Sequence, residues 1–282
     1  MSNAVQLTKD DRPRDQHPEV STLFRAFVGR FEDAESRRTI DDLVQWIEAR
    51  YREDLERRPS KHVYIRTLPA DVIEQIDRLR DSPAVLGPVA GRFGEDWVIT
   101  PMKNTDELYI SHYNKDAGGD QGLFDKHYDG NLRFLPASCV VRSLIYLQSD
   151  ASYKVVFADS RVEKAFATYD FGILDFHREL HWVEGEFDPH DRQRILLKCN
   201  YLVAPRHAPA YAQAVRAANT AVFYVVKAAM EYSKSPRTPV QRVVGFFCNF
   251  FRRMNIVHPF VPFALIGLVL AAIGLGLHRL LG

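Results

Sequence analysis

Cysteine is scarce. The 282 residues hold three, Cys139, Cys199 and Cys248, far apart and odd in number. That excludes a disulfide scaffold and a cysteine-rich zinc module, and it points to a reducing compartment. Charge of one sign is also missing: 37 Lys and Arg stand against 36 Asp and Glu, a formal +1. Global charge therefore gives no pull toward nucleic acid, and no nucleic-acid partner is expected. There is no Gly-rich phosphate loop of the Walker or dinucleotide type and no GxSxG. No internal repeat is visible. Residues 1–19 have no apolar core, so they are not a secretory signal and read as a disordered lead. With 46% hydrophobic and 26% charged residues, the rest fits an ordinary globular protein of one large domain or two small ones.

One hydrophobic run is long. Phe260 to Leu277, FVPFALIGLVLAAIGLGL, is eighteen residues without a charged or polar side chain. As a helix it would be about 27 Å long, close to the hydrocarbon thickness of a bilayer. Only His278 to Gly282 come after it, while Arg237, Arg242, Arg252 and Arg253 lie upstream. The positive-inside rule then keeps the body of the chain in the cytosol. Residues 258–278 are expected to be a transmembrane helix, and the protein tail-anchored in the endoplasmic reticulum or outer mitochondrial membrane. The aromatic stretch 243–251 between arginines suits either the headgroup region or a helix packed on the domain.

Between the ends, residues 20–60 are expected to be helical. Phe24, Phe27, Val28 and Phe31 recur at helical spacing, and Ile40, Leu43, Val44 and Ile47 do so again. Residues 62–66 look like a strand, and Pro69 opens a helix with Val72, Ile73, Ile76 and Leu79 on one face. From Trp97 short β-branched and aromatic runs succeed one another at 97–100, 107–113, 140–147, 153–157, 171–176 and 194–203. Many short strands with turn residues between them indicate an all-β sandwich or barrel. An Ala-rich helix over 210–232 comes next, within a helical and juxtamembrane region 206–257.

The candidate chemistry lies in the β-rich block. His127-Tyr128-Asp129 is an HxD, and on a strand positions i and i+2 point to one side, where both side chains can grip one metal ion. With 10 His and 22 Asp in the chain, about one such pattern is expected by chance. The order of residues downstream of it is more specific. Fifty-two residues after Asp129 comes His181, with Val183 and Gly185 behind it, and then Arg192 and Arg194, the second opening a strand. Tyr113 lies upstream. His177 competes with His181 but fits a turn. His190-Asp191 sits beside Pro189 and fits a turn as well. Cys139 and Cys199 sit in strand-like runs and read as inert core thiols.

This order resembles the Fe(II)/2-oxoglutarate-dependent dioxygenase superfamily, prolyl-4-hydroxylase-like, over residues 61–205. The resemblance implies a mainly β fold: a double-stranded β-helix, or jelly roll, with helices flanking it. It implies His127, Asp129 and His181 as the metal ligands, a set that suits iron because it leaves adjacent positions open. It also implies Arg194, with Arg192 as the alternative, as the cation for the far carboxylate of 2-oxoglutarate, and Tyr113 as a further cofactor contact. Fe(II), 2-oxoglutarate and O2 would be the cofactors, with ascorbate as a reductant. Two departures bear on the co-substrate: Leu196 stands where the family often has Ser or Thr, and a Gly-Gly pair is absent near Ser149 to Tyr153.

The implied activity is oxidation of a C–H bond, with release of succinate and CO2. The tail directs attention to a lipid, an amphiphilic metabolite or a membrane-associated protein as substrate. The alternative is a tail-anchored, non-enzymatic scaffold whose jelly-roll site has degenerated.

Overall fold

The computed structural model describes residues 5–6, 24–57, 60–111, 125–130, 132–133, 135–185, 194–234, 238–239, 241–243 and 246. In chain order the first elements are β1 (Val5–Gln6), β2 (Phe27–Arg30), α1 (Ala34–Arg57), β3 (Ser60–Tyr64), α2 (Ala70–Arg80), α3 (Pro83–Phe93), β4 (Trp97–Pro101) and β5 (Glu107–Ser111). Then come β6 (Cys139–Gln148), β7 (Asp150–Phe157), β8 (Val162–Ala167), β9 (Asp170–Asp175), β10 (His181–Glu184), β11 (Arg194–Pro205) and α4 (Pro209–Lys234).

The strands form two antiparallel sheets. The larger runs β2-β9-β6-β11-β5-β3, with β4 lying along β11 beyond β5; the smaller runs β1-β8-β7-β10. Strand alternation gives the larger sheet two different faces. Cys139, Val141, Ile145 and Leu147 of β6 and Ile195, Leu197, Cys199, Tyr201 and Val203 of β11 point to the helical side. There they meet Ile40, Leu43 and Ile47 of α1, Val72, Ile76 and Leu79 of α2, and Val85 and Val89 of α3. The opposite face carries Leu144, Tyr146, Leu174 and Leu196, packed against Tyr153, Val155, Phe157, Phe166 and Val183 of the smaller sheet. The molecule is thus mainly β, with two facing sheets as in a jelly roll and helices on the outer side of one of them. A further cluster seats α4, through Val215, on Val140 and Leu202.

Several expectations need correction. The 24–31 segment is not helical: Phe27–Arg30 form an edge strand on β9, with Phe31 fully buried and Phe27 40% exposed. Phe24 and Phe31 are both in the helix-side core, and the backbone pairing with β9 overrides the helical spacing between them. A single helix, α1, then covers 34–57. Within 1–19, Val5–Gln6 pair with β8. β8, β10 and α3 are elements that the sequence pattern does not reveal. No helix among the described residues is long and apolar enough to cross a membrane. The apolar run 260–277, most of 243–251, and residues Tyr113, Arg192, His190 and Asp191 lie outside the described residues. Cys139 and Cys199 are buried free thiols, and burial pushes both well above the usual thiol range.

Candidate metal centre

β10 begins at His181, and a reciprocal pair of backbone hydrogen bonds ties that residue to His127: each N–H donates to the other's carbonyl at 3.0 Å. His127 is therefore held by an isolated antiparallel bridge and not by the regular strand expected for the HxD. The bridge brings the two imidazoles to a centroid separation of 4.5 Å. Each ring is then oriented by a carbonyl two residues upstream. His127 Nδ1 lies 2.7 Å from the Asp125 carbonyl oxygen, and His181 Nδ1 lies 3.0 Å from that of Glu179. A carbonyl only accepts, so in the neutral rings Nδ1 carries the hydrogen and Nε2 keeps its lone pair, the tautomer a metal requires. Both Nε2 atoms face Asp129: His127 Nε2 is 3.7 Å from Oδ1 and His181 Nε2 is 3.7 Å from Oδ2. One ligand atom from each of the three residues lies within 4.8 Å of the other two.

The loops beneath this centre are tightly bonded. Gly130 N–H donates to the Phe176 carbonyl at 2.8 Å, which sets the chain direction after Asp129. His177 lies directly under Gly130. Its Nδ1 accepts from Leu132 N–H at 3.3 Å, so Nε2 carries the hydrogen and donates to Asn219 Oδ1 of α4 at 2.6 Å. Burial holds His177 neutral, with its pKa lowered to about 3. The turn expected for His177 is present after β9, and there the residue is a strut and not a ligand. Arg178 gathers the carbonyls of Arg133, Ser138 and Leu135 at 3.1, 3.2 and 2.7 Å. Glu179 accepts from the N–H groups of Asp159 and Ser160 and from the Ser160 hydroxyl. Burial pushes its carboxyl up to about 8.

One charged residue at the centre escapes sequence reasoning. Arg142 lies in mid-β6, where 140–147 reads VVRSLIYL. Its Nη1 donates to Asp129 Oδ2 at 2.7 Å and its Nε to Asn200 Oδ1 at 2.9 Å. The guanidinium also lies 4.2 Å over the Phe176 ring. Burial alone would raise the Asp129 carboxyl. Arg142, His181, His127 and Lys198 together outweigh burial and hold the group ionised well below the usual carboxylate range. The signal that could have found it is a lone arginine in an otherwise apolar, buried strand.

The inner face of β11 carries further cations. Alternation points Arg194, Leu196, Lys198 and Asn200 the same way, about 7 Å apart in succession. Arg194 is buried, with Nε donating to Ser111 Oγ at 3.3 Å and the guanidinium 5.2 and 5.0 Å from the Tyr109 and Tyr153 rings. Lys198 lies 3.6 Å from Glu107, which also pairs with Lys227 of α4 at 2.7 Å and with His62 at 3.6 Å. Burial lowers Lys198 to about 8, partly offset by Glu107. Asn200 is the residue that holds Arg142, so Lys198 is one inward step from the metal centre and Arg194 is three.

The donor chemistry fits a divalent transition metal: two imidazole nitrogens of the correct tautomer and one ionised carboxylate, the combination that suits non-haem iron. Adjacent ligands about 2.1 Å from an ion stand about 3 Å apart, somewhat closer than the 3.7 Å that separates each Nε2 from its nearer Asp129 oxygen.

No protein family and no curated protein matches the chain. Solved structures similar in fold include the non-haem alpha-ketoglutarate-dependent epimerase SnoN from nogalamycin biosynthesis, at 13% identity and a TM-score of 0.43, covering 65% of this chain and 82% of that one. A prolyl hydroxylase from Trichoplax adhaerens, solved with a hypoxia inducible factor peptide, has 14% identity and a TM-score of 0.42, covering 62% and 82%. HygX from Streptomyces hygroscopicus, with nickel and 2-oxoglutarate bound, has 14% identity and a TM-score of 0.36, covering 65% and 84%. Likenesses this loose assign neither family nor chemistry to this chain.

Proposed function

We propose that this chain is an Fe(II)/2-oxoglutarate-dependent oxygenase that oxidises a C–H bond. The observation that carries the reading is the convergence of His127, Asp129 and His181. The 125–130 loop and the start of β10 are tied together so that both Nε2 atoms face the Asp129 carboxylate. When bound, iron with 2-oxoglutarate and O2 supplies the oxidation itself, with succinate and CO2 as co-products.

The remaining tasks fall to the chain's own residues. Asp125 and Glu179 fix the imidazole tautomers through their carbonyls. Asp129 stays ionised under the charge of Arg142. Lys198 and Arg194 offer cations on the same inner face for the far carboxylate of the diacid, and the single step to Lys198 suits a five-carbon molecule better than the three steps to Arg194. Leu144, Leu174, Leu196 and Val183 pack together between the sheets and keep water out of that layer. A membrane address through 258–278, and with it an amphiphilic or membrane-bound substrate, belongs to the same proposal and rests on the apolar run alone.

The test is succinate release from 2-oxoglutarate with Fe(II) and ascorbate, since uncoupled turnover of this kind often needs no prime substrate. Wild type is expected to release succinate, and His127→Ala and Asp129→Ala to lose that activity. A wild-type protein that neither binds metal nor releases succinate overturns the proposal.

A further inference from the structure

Arg142 is placed unusually for a residue so close to a metal ligand. Its side chain is 4% exposed and reaches Asp129 from the middle of β6. It is held from three directions. Nη1 meets Asp129 Oδ2 at 2.7 Å, Nε meets Asn200 Oδ1 at 2.9 Å, and the Phe176 ring lies 4.2 Å beneath the guanidinium. Asn200 is itself fixed, with Nδ2 donating to the Thr105 carbonyl at 3.0 Å and its backbone N–H to Asp106 Oδ1 at 2.8 Å. A planar fork anchored in this way cannot swing aside when an ion arrives.

We propose that Arg142 is a positioning residue that shares the Asp129 carboxylate with the metal, and that this sharing limits how tightly the metal is held. The inference rests on the metal reading above. Arg142 occupies Oδ2, which leaves Oδ1, on the His127 side, as the oxygen to be offered. Without metal, the guanidinium compensates the half-buried carboxylate. With metal, two cations stand around one anion and repel each other across it. Removing the arginine charge leaves the carboxylate uncompensated until the ion binds, so the metal-free state loses more than the metal-bound state. A purely structural arginine makes the opposite prediction, because its loss would disorder Asp129 and weaken binding.

The experiment is Mn2+ titration of the full chain, followed by the electron paramagnetic resonance signal of free Mn2+, with thermal melts in the presence and absence of the ion. Arg142→Gln is expected to melt lower without metal, to bind Mn2+ about tenfold more tightly, and to gain more from saturating Mn2+ than wild type does. Arg142→Lys keeps the charge and is expected to stay within about threefold of wild type. Asn200→Ala loosens the guanidinium while retaining it. It is expected to tighten Mn2+ binding about threefold, and it serves where Arg142→Gln does not fold. Equal or weaker Mn2+ binding by Arg142→Gln and Asn200→Ala, with wild type binding normally, overturns the sharing of Asp129 and leaves the metal centre standing. No Mn2+ binding by wild type overturns both.

Discussion

The glycine after Asp129 has one side of its backbone filled by a neighbour. A methyl group at Gly130 would stand inside the His177 ring and 2.6 Å from Phe176 Cδ1. Backbone conformation is not the obstacle, because Gly130 is not among the positive-φ glycines. The obstacle is that His177 has nowhere to go. It is 4% exposed and bonded on both nitrogens, to Leu132 N–H and to Asn219 Oδ1. Moving it breaks two buried hydrogen bonds, each leaving a group whose desolvation costs about 1–3 kcal/mol. Overpacking adds about 1–3 kcal/mol, and allowing for partial relaxation Gly130→Ala should cost about 3–5 kcal/mol. That is a large part of the stability of an ordinary domain. Asp129 is the adjacent residue, so Mn2+ affinity should fall as well. Urea denaturation of the full chain gives the first quantity and Mn2+ titration the second. The double variant Gly130→Ala/His177→Ala restores the space, so its destabilisation should be less than the sum of the two single changes. A Gly130→Ala protein within about 1 kcal/mol of wild type and unchanged in Mn2+ affinity would refute this account of the loop.

Three further outcomes are expected. Glu179 keeps its proton up to about pH 8 in the folded protein, while the unfolded chain loses it near the ordinary glutamate value of 4.5. Folding therefore takes up a proton between those values, and this group's contribution to stability falls as pH rises from about 4.5 to about 8. Glu179→Gln keeps the hydrogen bonds without the titration, so urea melts should match wild type near pH 5 and exceed it by about 1–3 kcal/mol above pH 8; parallel curves would refute the linkage. In the succinate assay, Lys198→Met should raise the KM for 2-oxoglutarate about tenfold or more, and Arg194→Met should raise it less; the reverse order would return the carboxylate to Arg194. Deleting 258–282 should release the protein from carbonate-washed membranes, and continued pelleting would remove the anchor.

Much of the β framework is legible because β6 and β11 alternate between faces that are both buried, giving apolar runs with a clear strand texture. β8 is not legible: VEKAFA is a mostly half-exposed strand of the smaller sheet, and its charges read as loop. β10 is hidden because only four residues of it pair, so no window of that length carries a period. The Phe24–Phe31 spacing suggests a helix because both ends enter the helix-side core while the backbone between them pairs with β9. At the site, the order of His127, Asp129 and His181 can be read along the chain. The mutual backbone bridge that joins the two histidines cannot, nor can the His177–Asn219 strut, since those partners are brought together only by the packing of α4. Arg142 carries a visible sign, an arginine in an apolar strand, but its partner Asp129 lies thirteen residues away across a loop.

The helix α4 has a consequence of its own. Asn219 reaches the histidine beneath the Asp129 loop, and Lys227, about two turns farther along, reaches Glu107 on β5 of the larger sheet. One rigid rod thus sets the spacing between the floor under His127, Asp129 and His181 and the charged lining deeper inside. A sideways shift of that rod would alter the geometry of the proposed ligands and the inner charge in concert, so the two cannot be tuned separately from this side of the molecule.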